Sequence, residues 1–352
     1  MKIRLYGVDR GEGSWTRVSR GVKEGLEACG ALASFLNVSR VDDPGYDSLD
    51  QGFDAPVGLT IGPPMAASVM MGRGEHYRRL LMIASNSSWL PRSLMERSDK
   101  IVTGYVGPSQ FSIEVIKRNT LMTKSLHLYL HGVDKAFQPM RGVRKPKGWS
   151  VLHMASTHMQ RKGTRELLYA WGLALRKKLI PQDSVLRLVI DGPKGVYLSE
   201  IHKATQGIVE HAESIVVLPR LELSVDDLRF FYAQHHLVAQ PSRAEGFGMV
   251  PLESRACGVP VLATACTGHE EHIQPADGIV VVPHGLNGPI DDGPGAEAPT
   301  VSPEDICEGL IEAYDRREVL SALAMEQSAY FRDVWSWPKV TQEFLRSLEA
   351  SS

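Results

Sequence analysis

Pro241-Ser-Arg-Ala-Glu-Gly-Phe-Gly-Met-Val-Pro-Leu-Glu253 is the stretch on which the reading of this chain turns. It follows a short apolar run, Leu237 to Gln240, and leads into a helix predicted over Leu252 to Cys257 and bounded by Gly258. A strand, a glycine-bearing loop and a helix in that order form half of a parallel α/β unit, and open sheets of this kind bind ligands beyond the carboxyl ends of their strands. Two carboxylates, Glu245 and Glu253, lie eight positions apart. A helix throughout would separate them by about 12 Å along its axis, too far for one shared proton or metal ion. The spacing suits two ends of an extended ligand, with a diphosphate over the amides of Gly246, Phe247, Gly248, Met249 and Val250 at the helix N-terminus. Glycines at 246 and 248 let the backbone approach a phosphate closely.

Outward from this loop the same alternation recurs. Trp149 to Met154, Leu186 to Ile190, Ile215 to Leu218, Leu237 to Gln240, Pro260 to Ala263 and Gly278 to Val282 are short apolar runs that read as strands. Amphipathic stretches such as Thr164 to Leu179 lie between them and read as helices. An earlier series comprises Ile3 to Val8, Ala31 to Val38, Val57 to Ile61, Leu80 to Ala84, Lys100 to Gly104 and Leu126 to Leu130. The aperiodic, basic QPMRGVRKPKG, residues 138 to 148, separates the two series and reads as a linker. The predicted organisation is therefore an N-terminal domain over 1–140, a linker over 141–148, a C-terminal domain over 149–330 and a final segment, 331–352, whose helix begins near Trp337 and is expected to pack back toward the N-terminal domain. Residues 284 to 300, rich in Gly, Pro and Asp, are expected to be a mobile loop.

Bulk properties narrow the function classes. With 352 residues the chain exceeds what one hydrophobic core usually serves, and its 43% apolar and 23% charged residues exclude a disordered or fibrous protein. The net charge of -2 supplies no global positive field for nucleic acid. Four scattered cysteines, Cys29, Cys257, Cys266 and Cys307, lack metal-ligand spacing and read as free thiols of a reducing compartment. The N-terminus passes from a strand-like stretch into glycine, without the apolar core of a secretory signal, and no apolar run is long enough to span a bilayer. The expected location is the cytoplasm, with any membrane contact peripheral.

Gly7 to Trp15 joins a strand to a helix, and Gly11, Gly13 and Ser14 are placed to set amides against a phosphate. Asp226-Asp227 reads as helix N-terminal charge, and Asp42-Asp43 and Asp291-Asp292 as turn residues, so no metal-binding carboxylate motif is assigned. The histidines, including His235-His236, read as covering helices. Arg78, Arg79, Lys117, Arg118, Lys124 and the linker cations suit either an anionic partner (lipid, nucleic acid or a phosphorylated sugar) or a solvated surface.

The stretch 241–253, with Ala256-Cys-Gly-Val-Pro-Val261 after it, closely resembles the Glu-x7-Glu signature of retaining family-4 glycosyltransferases. His131-Gly-Val-Asp134 with Phe137, Val106-Gly-Pro-Ser109, Lys162-Gly163 and Asp191-Gly-Pro193 resemble further motifs of that family in the same order. The resemblance implies a GT-B fold: two Rossmann-like, doubly wound parallel-sheet domains facing a central cleft, the N-terminal one binding acceptor and the C-terminal one the nucleotide-sugar donor. It implies metal-independent transfer of a hexose, with retention, from a nucleotide-diphosphate sugar such as a UDP-sugar, with no cofactor. Glu245 would contact the hexose hydroxyls, Glu253 the ribose and Lys162 the diphosphate, with Gly192 in a donor-side turn. The family's arginine five positions before the lysine is replaced by Thr157, leaving Arg161 as the candidate substitute; its acceptor-loop histidine is absent from Ala84-Ser-Asn-Ser-Ser88, leaving Asn86. The acceptor, whether sugar, lipid, protein or modified nucleic acid, is not specified. Sugar phosphorylases and nucleotide-sugar epimerases share the fold, and a non-catalytic nucleotide-sugar binding module is the third reading.

Overall fold

The computed structural model describes residues 1–8, 13–37, 57–61, 78–156, 158–190, 194–206, 208–219, 223–274 and 279–351. The chain divides into two compact units, Met1–Asp134 with Asp333–Ser352, and Lys135–Arg332. Each is built on a six-stranded sheet whose strands are all parallel. This is the GT-B architecture of two Rossmann-like domains.

In the first unit the strands are β1 (Ile3–Gly7), β2 (Leu32–Asn37), β3 (Val57–Thr60), β4 (Arg78–Met82), β5 (Gly104–Gly107) and β6 (Ser125–Leu128), in spatial order β2-β1-β3-β4-β5-β6. Their apolar runs are continuous because helices cover both faces of a parallel sheet, and Ile3, Leu5, Leu59, Leu80 and Leu81 are fully buried. β5 starts where the predicted strand over Lys100 to Gly104 was to end. The amides of Ile101 and Val102 both donate to Ser98 O, closing the preceding helix Arg92–Ser98, and sheet bonding begins only when Thr103 N donates to Arg79 O.

The final helix, Trp337–Ala350, belongs to this unit and lies on the first helix, Ser14–Ala28. Gly21 and Gly25, one turn apart, open the contact: a Cβ at Gly21 would lie 1.9 Å from the Trp337 ring, and one at Gly25 2.0 Å from Thr341 Oγ1. Phe344 stacks on Tyr129 with ring centroids 4.2 Å apart, and Arg78 donates to the terminal carbonyls of Leu348 and Ser351.

The second unit contains β7 (Ser150–Ser156), β8 (Val185–Ile190), β9 (Ile215–Pro219), β10 (Leu237–Gln240), β11 (Val261–Thr264) and β12 (Val280–Val282), in order β12-β11-β10-β7-β8-β9. The chain winds outward from β7 through β8 to β9, then returns to start again at β10. The topological switch therefore falls between β7 and β10, and a crevice opens between the loops at their carboxyl ends. Trp149 and Trp171 stack in the core at 6.2 Å, and Trp171 Nε1 donates to Ser214 Oγ, so the buried indole keeps a polar partner.

Residues 284–300, predicted as a mobile loop, instead carry a two-stranded antiparallel hairpin, β13 (Asn287–Pro289) and β14 (Glu297–Pro299), with Ile290, Ala296 and Ala298 buried. The composition is that of a loop, but a distant side chain, Arg243, holds it.

Candidate active site

The two loops at the switch point bring the predicted residues together. The loop after β7 reaches Arg161 and Lys162 and ends at Gly163, in the left-handed region at φ +64, where the helix Thr164–Arg176 begins. A Cβ at Gly163 would lie 2.1 Å from Pro241 O, so only glycine allows the loops after β7 and β10 to touch here. Arg243 N donates to Arg161 O at 2.8 Å and locks the approach. Behind it His153 Nδ1 donates to Ala239 O and its Nε2 accepts from Thr164 Oγ1, both at 2.8 Å, bracing β7, β10 and the helix. Burial pushes this imidazole down to about 4, and it acts as a neutral bracket.

Glu245 sits between two cations. Arg161 bonds Glu245 Oε2 at 3.2 Å and Ala244 O at 2.9 Å, and the Lys162 ammonium bonds Glu245 Oε1. All three side chains are at most 12% exposed. Burial raises the Glu245 carboxyl, but the charges of Lys162 and Arg161 outweigh it and hold the group well below the usual carboxylate range. Burial, aided by Arg161 and opposed by Glu245, lowers Lys162. The cluster is one carboxylate and two cations, a net positive patch.

Residues that the sequence did not single out fix the backbone of Glu245. Thr267 Oγ1 accepts from Glu245 N at 2.9 Å, and Gly268 N donates to Glu245 O at 2.9 Å. Thr267 holds φ +54, an unfavourable conformation for a β-branched residue. A Cβ at Gly268 would lie 2.5 Å from the Gly246 backbone. Gly246 and Phe247 are buried, and Gly248, at φ +91, caps the helix Met249–Ala256, which starts three residues before the predicted Leu252. Glu245 and Glu253 thus lie on a loop and on the helix that follows it. The His269 ring fills the space left by Gly248, where a Cβ would lie 2.1 Å from it. His269 Nδ1 donates to Thr264 O, and burial lowers the ring to about 4.

Arg243 links this loop to the hairpin. Its Nε donates to Pro299 O at 2.9 Å, and its Nη2 reaches Pro289 O at 3.1 Å, Gly288 O at 3.3 Å and Ala298 O at 3.4 Å. From the other side, Asp291 N donates to Gln160 Oε1 at 2.7 Å. The hairpin is thus tied to the residues on both sides of the Glu245 cluster, a role invisible in sequence because its partners lie 45 or more positions away.

The remaining predicted residues lie elsewhere. Glu253 is fully buried, its Oε2 accepting from Tyr232 OH at 2.8 Å. Met249 and Val250 are the first two residues of the helix and half-buried. Gly13 caps the first helix of the first unit with ordinary extended backbone, Ser14 opens that helix, and Asn86 lies half-buried in the bend between β4 and Arg92–Ser98. Gly192, Thr157 and Gly11 fall outside the described residues.

Residues 149–288, which include both switch-point loops, match the family model described as glycosyl transferases group 1. The match lies wholly within the second unit. Curated relatives share this group's naming: a D-inositol 3-phosphate glycosyltransferase of Rhodococcus opacus is 30% identical over 190 residues, 53% of this chain and 40% of the relative. A GDP-mannose-dependent monoacylated alpha-(1-6)-phosphatidylinositol monomannoside mannosyltransferase of Corynebacterium glutamicum is 28% identical over 236 residues, 62% of this chain and 55% of the relative. The chain spans about half the length of the curated relatives it matches. Among solved structures, sucrose-phosphate synthase from Thermosynechococcus elongatus shares the fold with a TM-score of 0.70 at 14% identity, covering all of both chains. Anabaena Alr3699/HepE in complex with UDP-glucose gives 0.66 at 14% identity, covering 99% of this chain and 100% of that one.

Proposed function

We propose that this chain is a glycosyl transferase of group 1 that moves a hexose from a nucleotide-diphosphate sugar to an acceptor with retention of configuration and without a metal ion. The observation that carries the reading is Glu245 held between Arg161 and Lys162 on the two loops of the switch-point crevice. A departing diphosphate gains negative charge in the transition state, and a fixed cationic patch beside helix-terminal amides stabilises it more than the ground state. Lys162 and Arg161 are the proposed diphosphate partners, with the amides of Gly246 to Val250. Glu245, kept ionised, is a poor proton donor and a weak base, which suits it to accept hydrogen bonds from hexose hydroxyls. Deprotonation of the acceptor falls to the leaving diphosphate on the same face of the sugar. Glu253 is the proposed ribose partner, sharing its carboxylate with the Tyr232 hydroxyl. UDP-glucose in the complex of the Anabaena neighbour makes a UDP-sugar the first donor to try. Gly13, Ser14 and Asn86 remain proposed contacts from the first unit, and a cytoplasmic or membrane-peripheral location remains the expectation; no described helix is long and apolar enough to cross a membrane.

The test is a panel of nucleotide sugars incubated with the wild type and Glu245→Ala, with chelator present, following free nucleoside diphosphate. Release from one donor, slowed a hundredfold or more in the variant and indifferent to chelator, is the expected result. Phosphate-dependent release of a sugar phosphate without nucleotide would make the protein a phosphorylase. Tight donor binding with no turnover across an acceptor panel would make it a binding module.

A further inference from the structure

At the other edge of the second sheet, four cations converge where no catalytic role has been assigned. Arg144, Lys145, Pro146 and Lys147 precede β7, Arg187 is the third residue of β8, and Gln234 closes the helix Val225–Ala233 ahead of β10. Together they line a cavity of ≈ 380 Å³. Because the strands are parallel, this is the amino-terminal edge of the sheet. A rise of about 3.3 Å over four to seven residues puts it roughly 13–23 Å from the carboxyl-end loops that carry Glu245.

Two features separate this cluster from an ordinary solvated surface. First, among the described residues no carboxylate lines the cavity and none pairs with Arg144, Lys145, Lys147 or Arg187. Gathering like charges without a counter-charge costs free energy unless an anion offsets it. Second, Arg187 is positioned rather than free. The fully buried His235 donates from Nδ1 to Phe231 O at 2.7 Å, which leaves Nε2 to accept from the Arg187 guanidinium at 3.2 Å. Burial foremost, with Arg187 and Lys145 adding to it, lowers His235 to about 4 and keeps that lone pair available. His236, beside it, accepts from Ser150 N through Nδ1, and burial with Lys145 and Arg317 lowers it likewise. Among the described residues, the charges that shift the two rings are all positive.

We propose that this cavity binds a phosphate-bearing anion, with Arg187 as the fixed member of the site and Arg144, Lys145 and Lys147 completing it. The volume admits a phosphate or diphosphate group. Two sources present the same chemistry, a soluble phosphorylated molecule and the headgroup of an anionic phospholipid.

The full chain is titrated with inorganic pyrophosphate in a Lys162→Gln background, which removes one of the two proposed donor-site cations, with and without Arg144→Gln and Lys147→Gln. Both of these residues are exposed, so the fold is expected to survive, and an unchanged thermal melt checks it. A parallel arm measures co-sedimentation with phosphatidylcholine vesicles containing about one-third phosphatidylglycerol, near physiological salt to suppress weak surface attraction. Saturable binding to either probe, weakened at least tenfold by the paired substitution, supports the site. Pyrophosphate alone identifies a soluble ligand, and vesicles alone a headgroup. Loss of all binding on Lys162→Gln, affinity unchanged by the pair, or a DNA duplex held more tightly than both probes through the same residues would overturn it. Arg187→Gln is the second variant, expected to weaken binding by at least as much.

Discussion

Glu245 is the residue on which charge and stability meet. Its ordinary carboxyl value is 4.5, and the folded protein holds it lower, so the folded state favours the ionised form. That contribution is complete above 4.5 and fades as pH falls below it toward the folded value. Wild type and Glu245→Gln are therefore expected to differ most in urea midpoint at pH 7 and to converge as pH drops from 4.5 toward 3. A gap that stays constant across that range would mean that the glutamate stabilises through packing and not charge. The cluster itself was legible in sequence because Glu245, Arg161 and Lys162 sit in short local motifs whose chemistry does not depend on the rest of the chain. Thr267, His269 and Arg243 were not, because each acts on backbone atoms that only folding brings near.

Among the elements, the hairpin β13–β14 shows how one side chain makes a structure that composition argues against. Asn287–Pro289 and Glu297–Pro299 are three-residue strands with proline and glycine in them, a poor basis for a stable sheet. Arg243 adds donors to four of their carbonyls or close neighbours, and bonds from a charged donor contribute roughly 1.5–3 kcal/mol each before they are discounted for sharing one group. Arg243→Ala is expected to destabilise the second unit by about 2–3 kcal/mol and to raise deuterium exchange across 287–299. Arg243→Lys should not restore protection, since an ammonium cannot span carbonyls on both strands as a planar fork does. Equal protection in all three proteins would show that the hairpin holds itself. The strands of the two main sheets, by contrast, were readable to within about two residues wherever an apolar run was covered on both faces. The misplaced β5 came from Ile101 and Val102, apolar residues that close a helix instead of entering the sheet.

For the whole molecule, the last twenty residues matter more than their position suggests. Asp333–Ser352 completes the first unit, with Trp337 against Gly21 and Gly132, Phe344 on Tyr129, and Thr341 bonded to the Tyr129 hydroxyl. Ending the chain at Arg332 would uncover Tyr129 and the glycine face of the first helix. The truncated protein is expected to lose the cooperative unfolding of the first unit, seen as protease cleavage within 1–134, while the core around Trp171 in the second unit stays protected. Uniform protection of both units after truncation would show that the final helix is an accessory.

The sequence by itself determined the two parallel α/β sheets, the glycine-bearing loop within 241–253 and the residues of the charged cluster, because apolar period, glycine placement and short motifs are local properties of a chain. Only the tertiary structure decided where those pieces act. The crossover that leaves β7 beside β10 aims two loops 80 residues apart at one crevice, and Gly163 lets them close to contact. The same fold turned a proline-rich loop into a pinned hairpin, buried Glu253 against Tyr232, and gathered the cations of a linker and a distant strand around one cavity. Each of these rests on atoms far apart in the chain meeting at hydrogen-bond or van der Waals distance, which no local pattern encodes.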